Sequence, residues 1–256
     1  MSFQYLSVED AIPRRGLRMV VVGQVPSPWG EAAKGIFHIK GIDFAAVRLV
    51  YDDEALKAWA RDLSGPIAIY DDEPPRSGWA EILMLAERLA PTPALLPADP
   101  ETRSRALVLA EKFCGQDGLG WNRRLQLVHA GISKVGGFNE RVAGYLGKKY
   151  GYDPAGTARN AARVVELLNG FAGVLRTQRD AGRPYYLGEA LSAVDVYSAT
   201  FMALFKPLPE AQCVMHPVAR AGFEWLDSPT AAALDPLLLE HRDMMYARHL
   251  VLPLSL

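Results

Sequence analysis

The sequence has few cysteines, no long hydrophobic run and almost no net charge. Its 256 residues include only two cysteines, Cys114 and Cys213, which lack CxxC spacing and are too few for a disulfide framework. Such sparse cysteine usage is typical of the reducing cytoplasm, where we expect this protein to be found. No apolar stretch reaches the roughly 18 residues that a membrane span needs. The first residues carry no apolar run flanked by basic residues, so no signal peptide is predicted.

The lack of excess charge argues against a nucleic-acid partner. The chain has 28 Lys and Arg against 29 Asp and Glu, a formal net charge of −1, whereas a nucleic-acid-binding protein carries a basic excess on one face. The five histidines show no metal-ligand spacing, so no metal site is predicted. What the chain does have is 50% hydrophobic residues, which is enough for a folded core. We therefore expect one large or two modest globular domains.

Residues 17–92 alternate between strand and helix patterns. The predicted order is a strand at 17–24, a helix at 28–40, a strand at 44–50, a helix at 52–62, a strand at 66–70, a turn or small fourth strand at 71–76, and a helix from Ser77. Ser27 suits the N-cap of the first helix, Pro28 its first position and Gly41 its end. The first strand-helix-strand unit should be parallel and right-handed.

Beyond residue 92 the sequence carries only helical patterns. Four prolines punctuate the stretch from 91 to 100, which we interpret as a linker at 93–99. Helices are predicted from Asp99-Pro100, from Asp153-Pro154 through about residue 181, from Ser192, and over 217–227 and 235–250. The predicted organisation is an α/β domain at 1–92, with 1–16 as an N-terminal extension, followed by an all-helical domain at 100–256.

This plan, an α/β half followed by an all-helical half, resembles that of the cytosolic glutathione transferases. Three motifs carry the resemblance. Ser27-Pro28-Trp29-Gly30 opens the first helix, Gly65-Pro66 stands before the third strand, and YLGEALSAVD, from Tyr186 to Asp195, is similar to the family's LG-x-x-(F/L)-S-x-A-D segment. The similarity spans roughly residues 17–230. It implies a thioredoxin-like domain followed by an all-helical domain, glutathione as co-substrate without a metal, and a homodimer.

Ser27 has two interpretations. As a helix N-cap alone, its hydroxyl would contribute about 1 kcal/mol of stability. In the catalytic interpretation that the resemblance implies, Ser27 would donate a hydrogen bond to the glutathione thiolate at the positive end of the helix dipole. No histidine stands at a spacing that would make it a base for Ser27, so Ser27 is not predicted to be a covalent nucleophile.

The resemblance also implies a binding surface for the peptide part of glutathione. Gly65-Pro66 is expected to contain a cis peptide bond that exposes the Gly65 backbone to the cysteinyl part of glutathione, although the pair can also be a simple turn. Ser77, at the start of a helix, would hold the γ-glutamyl carboxylate. The family usually has an acidic residue where Arg76 stands. Arg76 would therefore either pair with a carboxylate or be a solvated surface charge.

Three further features each have a structural interpretation. Trp29 would either border the pocket of the second substrate or fill the interface between the domains. Ser192-x-x-Asp195 has the pattern of a capping box, so both residues are predicted to nucleate a helix rather than to act on a ligand. The cluster Trp121-Asn122-Arg123-Arg124 either lines the cleft between the domains or anchors a loop to a helix.

The predicted function is a glutathione transferase that stabilises the glutathione thiolate for attack on a small electrophile. Two alternatives stay open: a relative that binds glutathione or another ligand without catalysis, and an enzyme that uses glutathione for isomerisation or ether cleavage. Disulfide reduction is disfavoured, because Ser27 cannot form the mixed disulfide that a cysteine would form. No nucleic acid and no membrane is expected as a partner.

Overall fold

The computed structural model describes residues 4–62 and 64–256 and divides into a mixed half and a helical half. The elements of the mixed half are α1 (Val8–Ala11), β1 (Leu17–Val21), α2 (Pro28–Ile39), β2 (Phe44–Arg48), α3 (Glu54–Ala60), β3 (Ile67–Tyr70) and α4 (Trp79–Leu89). The strand and helix order predicted from the sequence is therefore confirmed. Each predicted element is a few residues too long, since propensity patterns continue into the caps and turns that end an element.

The three strands form one sheet in the order β2-β1-β3. Strand β1 runs parallel to β2, with Leu17 opposite Phe44, and antiparallel to β3, with Leu17 opposite Tyr70. The parallel strand-helix-strand unit predicted from the sequence is thus present. The possible fourth strand at 71–76 is not a full strand. It contains a single bridge, in which the backbone groups of Ala68 and Arg76 exchange hydrogen bonds of 2.8 and 2.9 Å.

The segment before β1 packs onto the sheet. The Leu6 N–H donates a 2.9 Å hydrogen bond to the carbonyl oxygen of Ala46 in β2. The short helix α1 buries Val8 and Ala11 in the same apolar cluster as Leu56 of α3. Residues 4–16, which the sequence suggests are an extension, therefore cover one face and one edge of the mixed half.

The helical half contains eight α-helices among its described residues, together with two short 3₁₀ turns, Pro154–Gly156 and Met202–Leu204. The helices are α5 (Pro100–Cys114), α6 (Leu119–Ile132), α7 (Glu140–Tyr150), α8 (Thr157–Asp180), α9 (Ala193–Phe201), α10 (Pro217–Glu224), α11 (Ser228–Ala233) and α12 (Pro236–Arg248). Helices α6, α7 and α11 were not predicted. Asp153-Pro154 opens the first 3₁₀ turn, with α8 following directly. Across residues 4–62 and 64–256, no helix is both long and apolar enough to cross a membrane.

A continuous apolar core joins the two halves. It contains residues of α2 and α4 from the mixed half together with residues of α5, α6, α8 and α9 from the helical half. The two halves approach closely at Gly35 of α2, where a Cβ atom would lie 2.7 Å from a methyl of Leu250 and 3.2 Å from one of Val196. The predicted linker takes part in this core, because Leu95 and Leu96 are buried. The position of α2 is therefore fixed from both sides.

Candidate active site

Ser27 stands at the start of α2 with its hydroxyl unused by the helix. Its backbone is extended, and its carbonyl oxygen accepts the first helical hydrogen bond from Glu31 N–H at 2.8 Å. The side chain makes no capping hydrogen bond, so the expected side-chain cap is absent although Ser27 occupies the N-cap position. Ser27 is largely buried, with 8% of its surface exposed. A buried hydroxyl at the positive end of a 12-residue helix is a potential donor to an anion.

Pro66 and Ser77 lie on the same small cleft as the start of α2. The Gly65–Pro66 peptide bond is cis, as the resemblance implies. Pro66, Ser77 and Trp29 line this cleft together with Ala33, Ile36, Trp79, Ile82 and Tyr197. A Cβ atom on Gly65 would lie 3.5 Å from the carbonyl oxygen of Val20, so the Gly65 backbone stands beside the end of β1. The structure thus brings Trp29, Pro66 and Ser77 to one cleft, and Ser27 stands two residues before Trp29.

Ser77 lies before helix α4 rather than in it. The sequence predicts a helix from Ser77, but the helix begins at Trp79 with Gly78 as its N-cap. The reason is that the Glu81 carboxylate accepts a 3.2 Å hydrogen bond from the Gly78 N–H. This contact gives the N–H at the helix start a partner and so fixes the start at that residue. Ser77 is exposed and remains two residues from the first helical turn.

Arg76 is engaged by a carboxylate of the chain itself. Its guanidinium forms a 2.6 Å ion pair with Glu73, and Arg88 pairs with the same carboxylate at 2.6 Å. Hydrogen bonds from Arg88 and from Arg76 hold the pKa of Glu73 below its usual value. The Arg76 backbone bridges to Ala68. The Arg76 guanidinium is therefore paired within the chain, with Glu73, and its predicted role in binding glutathione stays a prediction.

Trp29 both lines the cleft and contacts the helical half. Its indole N–H donates a 3.0 Å hydrogen bond to the carbonyl oxygen of Cys114, and its ring packs edge-on against Phe201 at 4.8 Å. A Cβ atom on Gly120 would lie 2.5 Å from the indole, so this side chain is tightly enclosed. Trp29 therefore fills the interface between the two halves and also lines the cleft, while its place beside a second substrate stays a prediction.

A group of aromatic and basic residues next to Trp29 was missed by the sequence analysis as a possible site. The guanidinium of Arg124 lies over the Trp29 ring at 4.4 Å and over the Tyr150 ring at 4.3 Å. Tyr51, from the loop after β2, packs against Tyr145 at 5.2 Å. The unusual cluster at 121–124 was the available signal. It lies within helix α6, and its Arg123 donates to the carbonyl oxygens of Leu204 and Trp225, so this residue anchors the loop after α10 to the helix, as one of the two interpretations predicts.

The segment Ser192–Asp195 forms the predicted capping box at the start of α9. The Asp195 carboxylate is fully buried and accepts hydrogen bonds from the Ser192 N–H at 2.9 Å and the Ser192 hydroxyl at 2.7 Å. It also accepts the Tyr186 N–H at 2.9 Å and lies 3.1 Å from Nε2 of His241. These contacts join three segments of the helical half, which supports a structural role.

The chain was compared with known proteins. Neither a protein-family model nor a curated protein matches it. Among solved structures, it is similar to a glutathione transferase family member from Pseudomonas fluorescens Pf-5, crystallised with two glutathione molecules, at 14% identity, a TM-score of 0.62 and 94% coverage of each chain. The chain has the fold of the glutathione transferases. In this fold a thioredoxin-like domain is followed by an all-helical domain, as the sequence predicts.

Two other structures with this fold are also similar to the chain over more than 90% of its length. A glutathione transferase from Methylobacterium radiotolerans in complex with glutathione sulfonate is 20% identical, with a TM-score of 0.57 and 91% coverage of each chain. A glutathione transferase homologue from Sulfitobacter with bound glutathione is 17% identical, with a TM-score of 0.56 and coverage of 92% of this chain and 94% of that one. Since the alignments cover nearly the whole chain, both halves belong to the shared fold.

Proposed function

We propose that this protein is a glutathione transferase that activates the glutathione thiol with Ser27 and transfers it to a small electrophile. The observation that carries the proposal is the Ser27 hydroxyl, which stands largely buried at the start of α2 and makes no capping hydrogen bond. Three solved structures of the same fold, from Pseudomonas fluorescens, Methylobacterium radiotolerans and Sulfitobacter, carry bound glutathione or glutathione sulfonate. Glutathione is the co-substrate in this proposal, and no metal is required.

The proposed role of Ser27 is to stabilise a thiolate. A hydrogen bond to a charged group contributes roughly 1.5–3 kcal/mol. Since one pKa unit corresponds to about 1.36 kcal/mol, this hydrogen bond would lower a thiol pKa by about one to two units. The positive end of the α2 dipole acts in the same direction. A larger fraction of the thiol would then be ionised at neutral pH, and the thiolate is the nucleophile.

The remaining site residues would hold the peptide of glutathione. We propose that the backbone of Gly65, before Pro66, pairs with the cysteinyl part, and that Ser77 donates hydrogen bonds from its N–H and its hydroxyl to the γ-glutamyl carboxylate. Arg76 is not assigned to glutathione, because its guanidinium is already paired with Glu73. The second substrate would approach from the helical half, past Trp29.

The test compares two serine variants at helix N-caps. Ser27→Ala should lower the turnover of glutathione with an electrophile by about 10- to 100-fold and raise the pKa of bound glutathione, measured by thiolate absorbance. Its unfolding midpoint should stay near that of the wild type, because no capping hydrogen bond is lost. Ser7→Ala is the control: Ser7 accepts the Asp10 N–H at 3.1 Å in α1, so this variant should lose stability without changing the thiol pKa.

Two results would contradict the proposal. Full turnover in Ser27→Ala would exclude the role of Ser27 while leaving a glutathione transferase possible. Absence of glutathione binding in calorimetry at millimolar glutathione would exclude the function altogether.

The alternative is a protein that binds glutathione or another ligand without transferring it, or one that uses glutathione for isomerisation or ether cleavage. One observation favours it. Glu73 is the acidic residue nearest before Ser77 in the sequence, and its carboxylate forms ion pairs with Arg76 and Arg88. The Glu73 carboxylate would then not receive the glutamyl amine. Calorimetric binding of glutathione without turnover across a panel of electrophiles would support a binding protein, and product analysis would separate the other reactions.

We also propose a cytoplasmic homodimer, as the resemblance implies. Light scattering of the purified protein tests this assembly directly, because a dimer would have twice the mass of 28.1 kDa of the single chain. A mass of one chain across the accessible concentration range would exclude it.

A further inference from the structure

Arg124 is stacked against aromatic rings from two different elements. Its guanidinium lies 4.4 Å from the ring centre of Trp29 in α2 and 4.3 Å from that of Tyr150 at the end of α7. Trp121, one turn before Arg124 in α6, packs edge-on against Tyr150 at 4.9 Å. Stacking of this kind holds the planar guanidinium in one orientation and leaves its N–H edge to bind an acceptor.

The charge of Arg124 has no carboxylate partner among the residues that the structure describes. Every ion pair found there involves other basic residues. The neighbouring Arg123 is different, because it donates to the carbonyl oxygens of Leu204 and Trp225 and to the side-chain oxygen of Gln126. Arg123 is thus satisfied within the fold, whereas Arg124 has a hydrogen bond with the Tyr150 hydroxyl and the hydroxyl of Tyr51 nearby.

The environment of Arg124 favours an anion. Burial is the main cause that lowers the pKa of Arg124, and the hydroxyls of Tyr150 and Tyr51 act against it. An arginine nonetheless stays protonated in proteins. A buried charge is costly unless it is paired and hydrogen-bonded. A bound anion would therefore be stabilised at this position.

Tyrosine hydroxyls provide further donors around Arg124. Burial, with help from the neighbouring Tyr145 and Tyr150, raises the pKa of Tyr51 to about 12. Tyr51 therefore keeps its proton at neutral pH and can donate it to an acceptor. The ammonium of Lys149 lies 5.0 Å from the ring centre of Tyr51 and adds positive charge. The carboxylate of the exposed Asp52 acts on Tyr145 and raises its pKa further.

This group is directly connected to the proposed active site through Trp29. Trp29 stands two residues after Ser27 and lines the cleft with Pro66 and Ser77. The guanidinium of Arg124 lies over the Trp29 ring. Arg124, Tyr145 and Tyr150 all belong to the helical half, from which the second substrate is proposed to approach. An anionic group on that substrate would meet Arg124 beside the reacting thiol.

We propose that Arg124, with the hydroxyls of Tyr51, Tyr145 and Tyr150, binds the carboxylate of an aromatic acceptor substrate. A carboxylate matches the planar N–H edge of a guanidinium, and the Trp29 and Trp121 rings would pack against the aromatic part. The inference rests on the proposed function and defines its substrate class. Glutathione itself carries carboxylates, so the test separates the two sources.

The experiment uses two acceptors that differ in one ring substituent, a carboxylate in 4-chloro-3,5-dinitrobenzoate and a neutral ester in its methyl ester. In both reactions the glutathione sulfur forms a bond to the ring carbon, and chloride leaves with the electron pair of the broken C–Cl bond. We expect the wild type to prefer the acid in kcat/KM. In Arg124→Gln this preference should fall roughly 10- to 100-fold, with the KM for glutathione unchanged within about twofold. Arg124→Lys should fall between the two.

The control variant is Arg141→Gln, which removes an exposed arginine of α7 and should leave the preference for the acid unchanged. Should Arg124→Gln fail to fold, Tyr51→Phe removes one proposed donor from a residue that is 38% exposed and keeps its ring. It should weaken the preference by a few-fold. An unchanged preference in a folded Arg124→Gln would overturn the proposal. So would a tenfold rise in the KM for glutathione with the preference intact, since the carboxylate would then be that of glutathione.

A binding measurement keeps this inference separate from the proposed function. Calorimetry with unreactive 3,5-dinitrobenzoate, in the absence of glutathione, should detect binding to the wild type and at least tenfold weaker binding to Arg124→Gln. If neither acceptor reacts but this difference is observed, the proposed transferase activity fails while the carboxylate site stands. If the wild type does not bind 3,5-dinitrobenzoate more tightly than Arg124→Gln does, the carboxylate site fails, whatever the activity.

Discussion

Replacement of Asp195 by alanine should destabilise the protein more than it changes its chemistry. The Asp195 carboxylate is fully buried and accepts two backbone N–H groups, those of Ser192 and Tyr186, at 2.9 Å each. It also accepts the Ser192 hydroxyl at 2.7 Å and faces His241 at 3.1 Å. In Asp195→Ala all four groups lose their acceptor in a site closed to solvent.

The expected loss follows from counting the groups left without a partner. A buried donor without an acceptor costs about 1–3 kcal/mol. The two backbone N–H groups alone therefore cost about 2–6 kcal/mol, and the hydroxyl and the imidazole add to this. The free energy of unfolding of a natural protein is only about 5–15 kcal/mol. Asp195→Ala should therefore lose a large part of it.

Two milder variants provide a graded series. In Asp195→Asn one carboxylate oxygen becomes an NH₂ group, so one backbone N–H of Ser192 or Tyr186 faces a donor, at a cost of about 1–3 kcal/mol. Ser192→Ala removes only the hydroxyl and should cost about 1 kcal/mol. Urea unfolding followed by circular dichroism would rank the three variants. A loss below about 1 kcal/mol in Asp195→Ala would refute the reasoning, because buried donors would then be satisfied without this carboxylate.

Three further predictions concern other buried positions. Gly120→Ala should lower stability by about 1–3 kcal/mol in urea unfolding, because its Cβ would lie 2.5 Å from the Trp29 ring; an unchanged midpoint would contradict this close approach. Lys40→Met should cost about 3–5 kcal/mol, because the Lys40 side chain is fully buried in an ion pair; a loss under about 1 kcal/mol would contradict that. Cys114 and Cys213 should resist a thiol reagent at pH 8 in the native protein and react on unfolding, because burial raises the pKa of both thiols. Rapid labelling of the native protein would contradict this prediction.

The sequence predicts those elements whose signals are local. Helices α2, α5 and α12 each have an N-cap residue followed by proline. Helices α2 and α5 begin at the predicted proline, and α12 begins at Pro236, one residue after its predicted start. The strands have short apolar runs with clear breaks. The capping box at the start of α9 depends on two residues three positions apart, so it can also be identified without the fold.

Helices α6 and α7 lack such signals for opposite reasons. Helix α6 begins after Gly118, which has no side chain to cap it, and it is buried on most of its surface, so its apolar residues show no single face. Helix α7 has Asn139 as its N-cap but no proline after it, and it buries only Ala143 and Gly147, so its start is marked less clearly than those of α2 and α5. The sequence patterns therefore predict neither helix.

The environment of Arg124 depends on contacts between distant segments. Tyr51 and Tyr145 lie 5.2 Å apart in the structure, although one follows β2 and the other belongs to α7. No periodicity or short motif records such a pair. Trp121–Arg124 can be recognised as an unusual cluster from the sequence. What these residues contact depends on which residues of the mixed half face them.

The helical half positions the start of α2 as well as covering it. Trp29, in the first turn of α2, is held by a hydrogen bond to Cys114 in α5, by the ring of Phe201 in α9 and by the guanidinium of Arg124 in α6. Ser27 stands two residues earlier on the same rigid turn. A displacement of α5, α6 or α9 would therefore move the proposed thiolate donor along with the wall of the cleft. The geometry of the Ser27 site is thus determined by both halves, although Ser27 itself belongs to the thioredoxin-like half.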